Sequence, residues 1–152
     1  MRMVNIGEPA PDFAAPDENN ETVRLSQFRG KKVLLAFFPF AFSPVCTKEH
    51  TCFQEDMAAF SRLGVKVLGI SVDSHWTQHA FKKSLGIDFP LLSDFSKDIA
   101  KKYGVLRPEG FSERAYFLIN KDGVVSYKHI MATPSAKLEN EELLGHVKKN
   151  AV

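Results

Sequence analysis

A chain of 152 residues, 44% apolar and 25% charged, has the size and composition of one globular domain with a continuous core. Its formal net charge of +2, with both signs interspersed, provides no basic stripe for nucleic acid and no polybasic membrane anchor. No run approaches the roughly 20 apolar residues that span a bilayer, and the opening MRMVNIGEPAPDF lacks a secretory apolar stretch, so a cytoplasmic location is expected.

Residues 1–20 carry Pro9, Pro11 and Pro16 and end in Asp17-Glu18-Asn19-Asn20, which predicts an extended, irregular opening. Thr22–Leu25 reads as a short strand, followed by a helical turn capped by Ser26 and stopped at Gly30. Lys32–Phe38 is an uninterrupted apolar run, the pattern of a strand buried on both faces, and Pro39 ends it. Ser43 suits an N-cap and Pro44 a first helical turn. Phe53, Met57 and Phe60 then mark a core-facing stripe, predicting a helix over 44–63 that Gly64 closes. A second buried strand follows at Val65–Val72, then a helix over Ser74–Leu85 stopped by Gly86. A short strand is expected at Phe89–Leu92 and a short helix at Ser96–Tyr103. Arg114–Ile119 and Val124–Ile130 flank Asn120-Lys121-Asp122-Gly123, a hairpin signal. Glu139–Lys149 closes the chain as a helix with basic residues in its last turn. Strand and helix alternate early and a hairpin comes late, which predicts an α/β sandwich with a mixed central sheet, one domain over residues 1–152.

The two cysteines, Cys46 and Cys52, are too few for a disulfide framework and do not form CxxC. Cys46 falls in the first turn of the expected helix, where unpaired backbone N–H groups and the helix dipole favour thiolate over thiol. The thiolate is the nucleophile, so this is where a reactive cysteine belongs. Among the five histidines no H-x-x-E-H or similar ligand spacing occurs; His75 and His79 share a helix at i,i+4, a metal-compatible spacing, but no carboxylate or cysteine completes a site nearby. His50 reads as a surface residue, and His75 and His79 as structural. Neither metal nor other cofactor is expected. Trp76 reads as core or as a subunit contact, the Phe37–Phe42 stretch as core and pocket wall, and Lys82-Lys83 and Lys101-Lys102 as solvated helix faces. Most of the thirteen phenylalanines should be core.

Pro39, Ser43 and Cys46 together spell P-x-x-x-S-x-x-C. At this point the chain resembles the peroxiredoxin family, whose site motif is P-x-x-x-[T/S]-x-x-C. The resemblance extends to GEPAPDF at the N-terminus, SVDSH at 71–75, Arg114 at the head of a late strand and the LIN-KDG turn. It implies a thioredoxin fold and a thiol peroxidase that reduces hydrogen peroxide or organic hydroperoxides. It further implies that Cys46 attacks the outer peroxide oxygen while Ser43, the N–H groups of Val45 and Cys46, and Arg114 bind the substrate and the charge developing on the leaving oxygen. Pro39 would shield the sulfur, and Glu49 would hold Arg114 in place. Ser43 stands where most members carry Thr, keeping the hydroxyl but losing the methyl that restrains χ1.

The sulfenic acid formed on Cys46 must condense with a thiol to turn over. Cys52 is the internal candidate. In an intact helix, however, six residues rise about 9 Å and turn about 240°, whereas a disulfide needs Cα atoms within about 7 Å. The peroxiredoxin Q group (bacterioferritin comigratory proteins) places its second cysteine five residues on rather than six. The alternative is a one-cysteine cycle, as in alkyl hydroperoxide reductase E-type enzymes, resolved by thioredoxin or a low-molecular-weight thiol. Association as a homodimer through Phe42 and Trp76 is an expectation of the same kind. The rival from another class is a redox-sensing or interaction protein that uses the fold without rapid turnover.

Overall fold

The apolar run after Lys32 becomes the centre of the sheet. In the computed structural model, which describes residues 3–42 and 64–130, the elements in chain order are β1 (Ala14–Pro16), β2 (Thr22–Arg24), a 3-10 turn (Leu25–Phe28), β3 (Lys32–Phe37), β4 (Val65–Ser71), α1 (His75–Leu85), β5 (Leu91–Ser93), α2 (Asp98–Tyr103), β6 (Ala115–Ile119) and β7 (Val125–Ile130). Five strands form one sheet in the order β5-β4-β3-β6-β7. β3 runs parallel to β4 and antiparallel to β6. β5 is parallel to β4, and β7 antiparallel to β6. This is the expected mixed sheet.

Alternation along β3 divides the core in two. Val33, Leu35 and Phe37 face one side, with Phe117, Ile70, Tyr103 and Ile99, under α2 and the N-terminal segment. Leu34, Ala36 and Phe38 face the other, with Val67, Tyr116, Leu118 and Phe81 of α1. Each such side chain, fully buried, contributes about 1.5–3 kcal/mol. That is why a six-residue strand buried on both faces is strongly determined by its sequence.

α1 has the boundaries its sequence signals require. The Ser74 hydroxyl accepts from the Thr77 N–H at 3.3 Å, and Gly86 ends the helix at φ +64°, where a Cβ would be strained. α2 starts differently. Buried Asp94 accepts from the N–H groups of Ile99 and Ala100, both at 2.9 Å. Burial pushes the Asp94 carboxyl above its ordinary range, although those two bonds pull the other way. Asp94→Ala orphans both donors and should cost about 2 kcal/mol in urea unfolding at neutral pH. Because the folded-state value is raised, Asp94 favours the folded state more as pH falls toward the ordinary carboxyl value of about 3.9. The stability gap between wild type and Asp94→Ala should therefore widen, not narrow, on mild acidification.

Several expectations shift. The N-terminal opening contains β1, paired antiparallel with β2; a three-residue strand holding Pro16 has too little pattern to be legible. Ser26 lies inside the 3-10 turn rather than capping it. The third strand begins at Leu91 instead of Phe89, because Pro90 has no N–H to donate to a ladder. Trp76 is 74% exposed and so is not core; its ring stacks on His75 at 4.0 Å. Lys82 is not a freely solvated helix residue, since its ammonium pairs at 2.9 Å with Glu18, itself only 6% exposed. Lys102 reaches back to the carbonyl of Asp12 at 3.1 Å. The predicted helices over 44–63 and 139–149 lie outside the described residues.

Candidate active site

The C-terminal end of β3 is where the sheet brings sequence-distant residues together. Phe37 is the register partner of Ala115, so one step further along the two strands Arg114 falls opposite Phe38, the residue that precedes Pro39 in the chain. Pro39 is buried and Arg114 has no exposed surface. By alternation with Tyr116 and Leu118, Arg114 belongs to the α1 side of the sheet. A charge in such a position is retained only with polar partners around it.

The backbone around both residues is held by specific hydrogen bonds. The Phe38 N–H donates to the Ile70 carbonyl at 2.9 Å, extending the contact with β4. The Phe38 carbonyl accepts from the buried Ser112 hydroxyl at 3.0 Å, two residues before Arg114. The Glu113 N–H donates to the Val105 carbonyl at 2.8 Å. Arg114 thus sits at the mouth of a tight loop whose two sides are joined by the Leu106–Ser112 bridge.

That loop also supplies an aromatic wall. Phe111 lies 5.1 Å from Phe40 between ring centroids. The Arg107 guanidinium lies over Phe111 at 5.7 Å and pairs with Glu113 and Glu109, each at 3.1 Å. Arg107 beside Glu109 holds that carboxyl below the usual range. Phe37 and Phe38 are core, whereas Phe40 and Phe42 are 43% and 53% exposed. The core half of the expectation for Phe37–Phe42 thus holds for Phe37 and Phe38, while the other two rings turn outward.

Of the residues expected at the site, Pro39 and Arg114 are both buried, Pro39 two residues beyond the end of β3 and Arg114 one residue before β6, which pairs with it. Ser43, Val45, Cys46, Glu49 and Cys52 lie outside the described residues, as does His50. His75 and His79 join no cluster of three or more potential metal ligands among the described residues. Sequence reasoning missed Ser112, and it missed the role of Asp73, whose carboxylate accepts from the Ala41 N–H at 2.7 Å. SVDSH pointed to Asp73 only as part of a resemblance. Nothing in the local pattern of that stretch indicates which backbone donor 32 residues away it would serve.

A family model described as AhpC/TSA matches residues 6–128. The chain belongs to that family. Peroxiredoxin-2 of Rattus norvegicus is 37% identical over 150 residues, covering 91% of this chain and 76% of its own length. A peroxiredoxin of Coxiella burnetii named bcp is 37% identical over 131 residues, covering 81% and 86% respectively. Among solved structures, the reduced 2-Cys peroxiredoxin of Plasmodium vivax superposes with a TM-score of 0.87 at 35% identity over 96% of each chain. The fold is that of the peroxiredoxins, and the chain is a thiol-dependent peroxidase. The redox-sensor alternative receives no support from these relatives. Among the described residues no helix is long and apolar enough to cross a membrane.

Proposed function

We propose that Cys46 is the residue that reduces the peroxide and that Pro39, Ser43 and Arg114 complete its site. The observation that carries this assignment is the β3–β6 register. Arg114, buried and next to the Ala115 that pairs with Phe37, lies near the strand end from which the chain runs on through Pro39 to Ser43 and Cys46, and this supports the reading. A fixed guanidinium fork at that end favours thiolate over thiol and stabilises charge on the departing oxygen.

The reaction balances simply. The Cys46 thiolate attacks the outer oxygen of ROOH, the S–O bond forms as the O–O bond breaks, and the RO⁻ released takes up a proton to leave as alcohol or water. Cysteine is oxidised to sulfenic acid and the peroxide is reduced. The Ser43 hydroxyl and the Val45 and Cys46 N–H groups donate to the peroxide oxygens, and Glu49 orients Arg114. The reductant is thioredoxin or a low-molecular-weight thiol, the working form a homodimer, and the compartment the cytoplasm. Treating the protein with one equivalent of hydrogen peroxide in the presence of a sulfenic-acid trap, followed by peptide mass spectrometry, tests the assignment. The trap should label Cys46, and label confined to Cys52 would reject it.

Cys52 is a supplementary route, not an obligatory one. The residues between the cysteines, Thr47-Lys48-Glu49-His50-Thr51, include two β-branched side chains of weak helix propensity, so local unwinding after oxidation costs little. Mass spectrometry of the oxidised wild type should show both sulfenic acid and a Cys46–Cys52 disulfide. Cys52→Ser should still turn over with an external thiol, at a rate within a few-fold of wild type. Complete conversion to disulfide, with turnover lost in Cys52→Ser, would establish a strict two-cysteine cycle instead.

A further inference from the structure

Phe42, the residue immediately before Ser43, adopts φ +67°, in the left-handed region. Bulky L side chains avoid that region, and such a conformation persists only where its surroundings impose it. Two contacts hold this stretch. The preceding residue, Ala41, donates its N–H to Asp73 Oδ2 at 2.7 Å, and the Phe42 ring packs edge-on against Phe81 of α1 at 5.0 Å between centroids.

Asp73 is itself held from several sides. Its Oδ2 accepts from the Ser71 hydroxyl at 2.7 Å, and its carbonyl accepts from the Ser93 hydroxyl at 2.7 Å. Ser71 Oγ in turn accepts from Gln78 Nε2 at 2.8 Å, and the same nitrogen donates to the Leu92 carbonyl at 2.9 Å. Gln78 is completely buried. The end of β4 thus holds the Asp73 carboxylate through Ser71, itself braced by Gln78 of α1, and the end of β5 holds the Asp73 carbonyl; the carboxylate in turn holds one backbone N–H of the loop after β3.

We propose that Asp73 is a positioning residue for peroxide reduction: by holding the Ala41 N–H it fixes Phe42 in its left-handed conformation and so sets the direction in which the chain enters the Ser43–Cys46 segment. The inference rests on the assignment of Cys46 as the nucleophile. Attack at the O–O bond requires alignment of sulfur with both oxygens, so a small error in chain direction is read directly in the rate. A residue that merely stabilised the fold would change the melting temperature and leave the thiol untouched.

The test uses the full chain in a Cys52→Ser background, so that one thiol is titrated. Asp73→Ala should slow hydrogen peroxide reduction by about tenfold or more and raise the Cys46 pKa. Asp73→Asn, whose amide oxygen can still accept from Ala41, should restore both to near wild type. Wild-type rate and pKa in Asp73→Ala would overturn the proposal. So would an Asn variant as slow as the Ala variant, since the charge and not the hydrogen bond would then be responsible. Should Asp73→Ala fail to fold, Phe42→Gly and Phe42→Val decide the matter. Both lose the ring contact, but glycine adopts the left-handed conformation freely and valine resists it. Phe42→Val should react more slowly than Phe42→Gly, and equal rates would overturn the proposal. Cys46→Ser, run in parallel, tests the underlying assignment separately: a peroxidase rate retained there would reject Cys46 whatever Asp73 does.

Discussion

Cys46→Ser is expected to reduce peroxide consumption to the uncatalysed background while the chain still folds. The thiolate, not the thiol, attacks the peroxide, and a serine hydroxyl does not ionise near neutral pH in any ordinary protein setting. Ser preserves the shape of the side chain to within the difference between sulfur and oxygen, so sheet and core should be undisturbed. Stopped-flow consumption of hydrogen peroxide with excess thiol, together with circular dichroism, reads both halves of this expectation. A substantial residual rate in a folded Cys46→Ser protein would place the chemistry elsewhere. Loss of rate accompanied by loss of structure would show Cys46 to be a packing residue instead.

Arg114→Ala should produce the next largest effect, and on two observables at once. On the proposed assignment, losing the cation raises the thiol pKa, because the thiolate loses a partner that favours the charged form. Losing donors aimed at the leaving oxygen removes stabilisation present mainly in the transition state, worth ~3 kcal/mol, or about two orders of magnitude in rate. Arg114 is also among the largest fully buried side chains of the protein, so Ala leaves a cavity and stability should fall too. Arg114→Lys separates the effects. It keeps a positive charge and most of the volume but lacks the planar fork, so the pKa should move little while the rate stays well below wild type. Thiolate absorbance titration and stopped-flow kinetics on the same samples provide the two readings. Unchanged pKa and rate in a folded Arg114→Ala protein would remove Arg114 from the site.

The contrast between Arg114 and Arg107 explains why an arginine's role is hard to read from neighbouring residues. Both precede or follow loop residues of similar character, and both lie within a short stretch of chain. Arg107 is partly exposed and engaged with Glu109, Glu113 and the Phe111 ring. Arg114 is enclosed because it continues β6 by one residue and meets the end of β3. Surface pairs of the Arg107 kind contribute at most about 1 kcal/mol. In the structure it is the strand register that gives the two residues such different surroundings.

What the sequence by itself determined follows from short-range physics. Apolar runs without alternation specified β3 and β4. Ser74 and Gly86 specified the ends of α1, and Asp122-Gly123 the turn between β6 and β7. In each case the deciding interactions lie within a few residues or depend only on hydrophobic periodicity. P-x-x-x-S-x-x-C, read with Arg114, indicated the chemistry because the residue types and their order are specific even without coordinates. Tertiary structure alone decided that Glu18 would be buried against Lys82 and the Leu91 N–H, and that β1 would pair with β2. It also decided that Trp76 would remain exposed, that Ser112 would hold Phe38 and that Asp73 would reach Ala41. Those contacts join residues far apart in the chain, at strand ends and loops where side chains carry no periodic signal. A polar group there finds its partner only after β3, β4 and β6 have locked into register, and it is that register which buries Arg114 near the end of β3.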